Sequence, residues 1–201
     1  MHLSSTILLV AASLLSPALA AATFSKSSKR GLVFVPSAAY PEDNQIWIQS
    51  GSDLTWYYNY GVQPSSAFAS TTQENFEFVP MLWGISDTFL SDIVALVAGG
   101  RNISHIMTFN EPDGTQSTGG SNIDPKAAAT AWIKQVEPLR KIGIKVGAPA
   151  VTGSPGGFTW LSDFYASCAK QGTNCTADFI PVHWYGNFEG LASHLGQVWG
   201  T

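Results

Sequence analysis

The chain has 201 residues, of which 45% are hydrophobic and only 12% are charged, roughly half the charged share of an average soluble domain. This composition excludes a disordered chain. A formal net charge of −4 and a pI near 5.4 leave no basic patch for phosphate backbones, so we expect no nucleic-acid partner. An aromatic content of 12%, with seven Trp, is typical of a surface that stacks flat ligands such as sugars.

The first twenty residues predict a secretory signal peptide. An apolar run from Leu8 to Leu15 is too short to span a bilayer, and Ala-Leu-Ala at 18–20 is a small-residue cleavage signal. The positive charge before it is weak, which leaves a retained anchor as the alternative. Residues 21–30 form a leader ending in Lys29 and Arg30, which is either a kexin-type cleavage site or a flexible solvated segment. No other stretch is long enough to span a membrane, so we expect no membrane association after signal removal.

Three further features fit secretion to the extracellular space or cell wall. Asn102 and Asn174 begin glycosylation triplets, although such triplets also arise by chance. Cys168 and Cys175 lie seven positions apart with no His or further Cys nearby, which favours a small disulfide loop over a metal site. The alternative is two unpaired buried thiols.

From Gly31 onward the sequence alternates strand-like and helix-like segments. Continuous apolar runs predict buried parallel strands at 31–36, 54–60, 76–84, 103–109, 144–150 and 177–185. Apolar residues at helical spacing predict helices at 87–98, 125–142, 158–170 and 191–199. Asp124 as the N-cap and Pro125 in the first turn mark the clearest helix start.

Repeated strand–helix units indicate an α/β fold, either an open doubly wound sheet or a (β/α)8 TIM barrel. The sequence has no glycine-rich phosphate-binding loop of the kind that doubly wound folds carry, which favours the barrel. Residues 31–201 hold about six units, whereas a barrel of eight takes about 250 residues. We therefore predict a partial barrel over 31–201, truncated two units short.

Polar and aromatic residues gather where four of the predicted strands end. They lie at 56–60, 82–84, 110–113 and 183–186. In a barrel these ends share the carboxyl-terminal face, where barrel enzymes hold their active sites. Each cluster alone also fits an ordinary core or loop role, but all four on one face favour a functional site.

Four of these segments together resemble glycoside hydrolase family 128, a group of secreted, fungal-rich β-1,3-glucanases with a retaining-clan barrel fold. The matching segments are 56–59, 78–83, the Asn110, Glu111 and Pro112 triplet, and 183–185. The resemblance implies a glucan substrate. It also implies that Glu111 is the catalytic acid/base and that Asn110 bonds the sugar 2-hydroxyl.

The same resemblance implies sugar-binding roles for aromatic and polar neighbours. Trp56, Trp83 and Trp184 would offer stacking faces to glucosyl units. The other residues, which would orient hydroxyls or a partner carboxylate, are Asn59, His183 and Tyr185.

The family's nucleophile is a Glu at the end of a seventh strand, and no residue here matches it. Asp113 shares a loop with Glu111 and cannot approach from the opposite side of the sugar ring, and Glu189 lies in a loop without a matching motif. We therefore expect this form to lack glucanase activity. Its open sheet edges are expected to lower its stability.

Other chemistries find little support in the sequence. No H-E-x-x-H or Cys/His cluster points to a metal, no G-x-S-x-G points to a serine hydrolase, and no cofactor is implied. The alternatives to a hydrolase are a noncatalytic glucan-binding or wall-associated protein and an incomplete gene product without function. We expect a monomer that binds β-glucan polysaccharide or oligosaccharide.

Overall fold

The computed structural model describes residues 29–200, in which short parallel strands alternate with helices. The strands are β1 (Gly31–Val33), β2 (Trp56–Tyr58), β3 (Glu77–Phe78), β4 (His105–Ile106) and β5 (Lys145–Val146). The α-helices are α1 (Phe89–Ala98), α2 (Pro125–Gln135), α3 (Glu137–Lys141), α4 (Pro155–Lys170) and α5 (Phe188–Trp199). Short 3-10 helices occupy Pro41–Ile48, Ser66–Phe68 and Gln116–Thr118.

The strands follow one another in space in the order in which they occur along the chain. β1, β2 and β3 form one parallel sheet, and β4 and β5 form a second. A parallel bridge between Met81 and Met107 joins the two sheets, and another between Gly147 and Phe179 adds a sixth segment beyond β5. Six parallel segments thus place their carboxyl ends along one face.

The described residues form two short parallel sheets and no closed barrel, so the predicted partial (β/α)8 barrel stays a prediction. The strands also contain two or three residues rather than the six to nine predicted. Proline explains part of the shortening because it has no N–H to donate to a ladder. Pro80 interrupts pairing between Phe78 and Met81, and Pro181 follows the single bridge that the predicted strand 177–185 makes.

The helices lie where they were predicted: α1, α4 and α5 end at the predicted residues but begin at different ones, and α2 begins at Pro125 as predicted. Asp124 caps α2 by accepting hydrogen bonds from the N–H groups of Lys126 and Ala127, both at 3.0 Å. The predicted helix 125–142 divides at Val136 into α2 and α3. Pro138 accounts for the break because proline has no backbone N–H to donate to the preceding turn and its ring collides with a carbonyl of that turn.

Two hydrophobic clusters form the core. The larger packs α1, α2 and α4 around Trp132, Trp160 and Phe164. The smaller is an aromatic group: Phe34, Tyr57, Phe68, Phe76 and Phe78. Together they hold the strands in place beneath the loops that follow them.

The predicted signal peptide at 1–20 and most of the 21–30 leader lie outside the described residues. Within 29–200, no helix is long and apolar enough to cross a bilayer. Arg30 lies directly before β1, and its carbonyl accepts a hydrogen bond from the N–H of Thr55 at 3.1 Å.

Candidate functional site

The loops that follow β2, β3, β4 and the sixth segment enclose a cleft of about 270 Å³. Its walls are formed by Tyr60, Trp83, Asn110, Glu111, Thr118, Gly119, His183 and Tyr185. Five of the predicted site residues therefore meet in one place, although they come from three separate parts of the chain. The parallel arrangement of the strands brings them together.

Glu111 and His183 form the central polar pair of the cleft. Glu111 Oε1 lies 2.7 Å from His183 Nδ1, and the two side chains are 14% and 21% exposed. A pair this short and this shielded fixes the orientation of the carboxyl group. No hydrogen bond joins the second carboxyl oxygen, Oε2, to another described residue, and Glu111 lines the cleft.

The backbone of Glu111 is held from two sides. Its N–H donates to the carbonyl of Ala150 at 2.7 Å, and its carbonyl accepts from the N–H of Gly114 at 2.8 Å. Asp113 adds a second attachment to the neighbouring segment: Oδ1 accepts from the N–H of Thr152 at 2.9 Å, and Oδ2 bonds the Thr152 hydroxyl. Asp113 thus fastens the Glu111 loop to the segment after β5.

Asn110 is 5% exposed and lies beside Glu111 at the floor of the cleft. Its Nδ2 donates to the carbonyl of Gly119 at 2.9 Å, whereas its Oδ1 is buried without a hydrogen-bond partner. Buried polar atoms normally have partners. Asn110 Oδ1 is therefore an acceptor whose hydrogen-bonding capacity is unused within the described residues.

Two tyrosines, Tyr60 and Tyr185, line the cleft, and Tyr58 packs against Tyr60. The rings of Tyr58 and Tyr60 meet edge to face with centroids 5.2 Å apart, and Tyr185 is 90% exposed at the rim. Burial raises the pKa of the Tyr58 hydroxyl well above its usual range, and the neighbouring Tyr60 and Tyr185 raise it further. The Tyr58 hydroxyl therefore stays protonated at neutral pH and can donate a hydrogen bond.

Three predicted site residues lie outside this cleft. Trp56 is at the amino end of β2, where its ring packs over Gly31 and lines a different cavity with Glu77 and His105. Asn59 closes its own loop, accepting from Gly61 N–H at 3.2 Å and donating to Gln63 O at 2.9 Å.

Trp184 also points away from the cleft. Its ring stacks on His194 of α5, with centroids 5.4 Å apart, and its Nε1 donates to the carbonyl of Asn187. The residue helps to pack α5 against the loop that carries His183.

Sequence reasoning did not select Tyr60, Thr118 or Gly119, which line the cleft. One sequence signal pointed to Tyr60. Side chains alternate along a strand, so Tyr60 is on the same side as Trp56, and it lies at the carboxyl end of the 56–60 segment, where barrel enzymes hold their sites. No comparable signal identifies Thr118 or Gly119, because they reach the site on a loop.

Glu111 has the only carboxyl group among the residues that line the cleft. Asp113 is engaged with Thr152, and Glu189 lies exposed in the first turn of α5. In the described part of the chain, no group of three or more His, Cys, Asp or Glu side chains is arranged to hold a metal ion.

The cysteines and the two glycosylation triplets lie away from the cleft. Cys168 and Cys175 form a disulfide with Cα atoms 5.9 Å apart, and both are fully buried. Asn102 and Asn174 are exposed.

Comparison with known proteins defines the class to which this fold and site belong. Residues 31–201 match the family described as "Glycosyl hydrolase catalytic core". The chain belongs to this glycosyl hydrolase family.

The chain is also similar to an individual protein. The chain is 32% identical over 178 residues to Alkali-sensitive linkage protein 1 of Schizosaccharomyces pombe, a match that covers 87% of this chain. It spans only 29% of the length of that relative.

The solved structures that this chain resembles include family 128 β-1,3-glucanases, which confirms the family resemblance. A curdlan-specific exo-β-1,3-glucanase from Blastomyces gilchristii, in complex with glucose, is 31% identical with a TM-score of 0.66, covering 88% of this chain and 73% of its own. An endo-β-1,3-glucanase from Pseudomonas viridiflava is 29% identical with a TM-score of 0.68, covering 88% and 68%. These matches support a glycosidase fold.

Proposed function

We propose that the cleft binds β-1,3-glucan and that Glu111 is its general acid/base. The observation that carries this proposal is the Glu111–His183 pair, which engages one carboxyl oxygen of Glu111 and lines a cleft together with Tyr60, Trp83 and Tyr185. The named activities of the structural relatives supply the substrate class: one is a curdlan-specific exo-β-1,3-glucanase and the other an endo-β-1,3-glucanase.

The proposed reaction is retaining glycoside hydrolysis in two displacements. The protonated Glu111 carboxyl gives its proton to the glycosidic oxygen while a second carboxylate attacks the anomeric carbon and the C–O bond breaks. Glu111, now ionised, then takes a proton from water, whose oxygen displaces the second carboxylate and restores the enzyme. His183, bonded to Oε1, would orient the carboxyl so that Oε2 serves the leaving oxygen.

Asn110 and the aromatic rim supply binding. The unpaired Oδ1 of Asn110 would accept a hydrogen bond from the sugar 2-hydroxyl, a contact that strengthens as the ring flattens. Trp83, Tyr60 and Tyr185 would stack against the apolar faces of glucosyl rings.

Retaining hydrolysis requires a second carboxylate in the cleft, whereas glucan binding does not. Retaining enzymes place their two carboxyl groups about 5 to 5.5 Å apart, and Glu111 is the only acid that lines this cleft. We therefore propose that the 201-residue form binds glucan without appreciable turnover. Noncatalytic glucan binding is the second candidate function, and the same observation favours it.

The test combines binding and turnover. Laminari-oligosaccharide binding is measured by calorimetry, and reducing-sugar release from laminarin is measured for the wild type, Glu111→Gln and Glu189→Gln. We expect binding by all three proteins and negligible release. In a longer form that supplies the second carboxylate, Glu111→Gln should lower turnover by about 10²-fold to 10⁴-fold with retention of anomeric configuration in the wild type.

Glu189→Gln is the matched control, because it makes the same chemical change at an exposed helix position. Wild-type release that disappears in Glu189→Gln would identify Glu189 as the nucleophile. In the longer form, turnover by Glu111→Gln equal to that of the wild type would place the general acid at another residue. Absence of oligosaccharide binding would contradict the proposed substrate class.

We also propose that the chain follows the secretory route and acts outside the cell or in the cell wall. The disulfide between Cys168 and Cys175 and the exposure of Asn102 and Asn174 support this proposal.

A further inference from the structure

The segment that follows β5, residues 150–153, contacts both loops of the Glu111–His183 pair. The carbonyl of Ala150 accepts a hydrogen bond from the N–H of Glu111 at 2.7 Å. At the other end of this post-β5 segment, a Cβ added to Gly153 would lie 3.3 Å from the carbonyl oxygen of His183. The post-β5 segment is therefore packed against the backbones of both paired residues.

Thr152 fastens the post-β5 segment to the Glu111 loop through Asp113. Its N–H donates to Asp113 Oδ1 at 2.9 Å, and its hydroxyl donates to Asp113 Oδ2. Its methyl group also packs on this loop, since Cγ2 lies 3.4 Å from the Cβ position of Gly114. Two hydrogen bonds to one carboxyl group fix orientation as well as distance. Thr152 does not line the Glu111 cleft, so its influence on the site passes through these neighbours.

The Glu111–His183 contact depends on the separation of two loops that are distant in sequence. Glu111 Oε1 lies 2.7 Å from His183 Nδ1, at the short end of the usual range, so a displacement of about 1 Å breaks the bond. Within residues 29–200, no backbone hydrogen bond joins 110–114 directly to 183–187. The separation of the two loops is therefore set through the post-β5 segment that both contact.

We propose that Thr152 is a positioning residue for the Glu111–His183 pair. Its hydroxyl, held by Asp113, fixes the post-β5 segment at the place where His183 Nδ1 meets Glu111 Oε1. The importance of this contact for glucan rests on the proposed function, since it assumes that the Glu111 cleft binds the polymer. The contact itself can be measured without any ligand.

Nitrogen NMR of the full chain, isotope-labelled at histidine, reports the contact, because the signal of a ring nitrogen depends on the hydrogen bond that it makes. Thr152→Val removes the hydroxyl without changing charge, and Thr152→Ser retains it. At pH 7 we expect the His183 Nδ1 signal of Thr152→Val to move toward that of Glu111→Ala, which lacks the acceptor. Thr152→Ser should keep the wild-type signal, and His183→Ala assigns it.

Gly153→Ala tests the other end of the post-β5 segment and leaves the Thr152 hydroxyl in place. The new Cβ would lie 3.3 Å from a backbone oxygen of His183, which must shift by a few tenths of an ångström to accommodate it. The His183 Nδ1 signal should therefore move in this variant as well.

Two controls separate this role from a general loss of hydrogen bonds. Thr130→Val makes the same chemical change where the hydroxyl donates to Lys126 O at 3.1 Å and Gln171 Oε1 at 3.0 Å, joining α2 to the end of α4. Ser154→Ala removes the other contact of the Thr152 hydroxyl, which lies 2.8 Å from Ser154 Oγ. Neither control should move the His183 Nδ1 signal.

Calorimetry with laminari-oligosaccharides then connects the contact to binding. Thr152→Val should weaken affinity by about threefold to tenfold, and Thr152→Ser should bind as the wild type does. In a His183→Ala background, Thr152→Val should cause no further loss, because the pair that it positions is already broken. Thermal unfolding of each variant reports whether its fold is intact.

The outcomes distinguish the positioning role from the proposed function. A wild-type His183 Nδ1 signal in folded Thr152→Val would overturn the role, as would an equal movement of that signal in Thr130→Val or Ser154→Ala. An undiminished loss of affinity in the His183→Ala background would also overturn it, since Thr152 would then act by another route. A moved signal together with no oligosaccharide binding by the wild type would uphold the positioning role and contradict the proposed function.

Discussion

Glu111 adopts a backbone conformation that residues with side chains rarely occupy. Its φ of 41° lies in the left-handed region, which costs about 1 to 2 kcal/mol for an L-amino acid. The hydrogen bonds to Ala150 and Gly114 hold this conformation, and Gly120 packs directly against the Glu111 carbonyl. The surrounding loop therefore sets the direction of the proposed acid/base.

Gly120 provides a test of this support. A Cβ at this position would lie 2.5 Å from the carbonyl carbon of Gly114 and 2.7 Å from the Glu111 carbonyl oxygen. Both contacts are with backbone, so neither can be relieved by rotating a side chain. We expect Gly120→Ala to lower the free energy of unfolding by about 1 to 3 kcal/mol.

Chemical denaturation measures this loss, and oligosaccharide binding should weaken with it because the Glu111 loop must shift. Gly196→Ala on α5 is the control, since a Cβ there meets nothing within 4 Å and alanine favours a helix. Equal stability of Gly120→Ala and the wild type would show that the loop is loosely held.

At the scale of elements, carboxylates join adjacent parallel segments where the ladders are short. Asp113 links the β4 loop to the segment after β5 through Thr152. Asp178 links the sixth segment to β5, since its Oδ2 accepts from the Val146 N–H at 3.0 Å and its Oδ1 lies 3.3 Å from Lys145 Nζ. These side-chain bonds supplement strands of only two or three residues.

The Asp178 contact should make stability depend on pH. The backbone N–H of Val146, followed by Lys145, holds the pKa of Asp178 below its usual range. A lowered folded-state pKa adds stability that is complete above the unfolded-state pKa of about 3.9. That stability is lost as the pH falls from there through the lower folded-state pKa.

Asp178→Asn should therefore lower the free energy of unfolding at pH 7 by about 1 kcal/mol and flatten its decline below pH 4. Urea unfolding between pH 2 and pH 7 measures both effects. Asp163→Asn, an exposed change on α4, is the control and should retain the wild-type decline. An unaltered pH profile in Asp178→Asn would assign the acid sensitivity to other carboxyl groups.

At the scale of the whole molecule, the disulfide fixes the end of α4 to the segment leading into the sixth parallel segment. Cys168 is in the last turn of α4, and Cys175 is buried in the loop that follows. The larger core cluster includes both. The bond therefore stabilises the side of the molecule that presents His183 to Glu111.

Protein secreted from an oxidising host should contain this disulfide and N-linked glycans at Asn102 and Asn174. Replacing both cysteines with alanine should lower the free energy of unfolding by about 2 to 3 kcal/mol, because the open loop gains entropy when unfolded. Mass spectrometry of nonreduced digests, before and after glycosidase treatment, tests the modifications, and thermal unfolding tests the stability. Free thiols and unmodified Asn102 and Asn174 in secreted protein would contradict the prediction.

Much of the fold could be predicted from local patterns. Apolar runs located the parallel segments, and helical spacing with the Asp124 cap located α2, because both signals depend on residues close together in sequence. Strand lengths and the break at Val136 could not be read from hydrophobicity alone. Apolar runs do not report whether a partner strand is paired at each residue, and Pro138 lay inside an otherwise regular helical pattern.

The motifs of the sequence identified the family, and that resemblance selected Glu111 and Asn110 as proposed site residues, a selection that stays a prediction. Only the tertiary structure paired Glu111 with His183, 72 positions away, and placed Tyr60 in the cleft while Trp56 faces another cavity. Residues adjacent in sequence can lie at opposite ends of a sheet, and distant ones meet where parallel strands end. Three-dimensional packing therefore decides which members of an aromatic segment line the cleft.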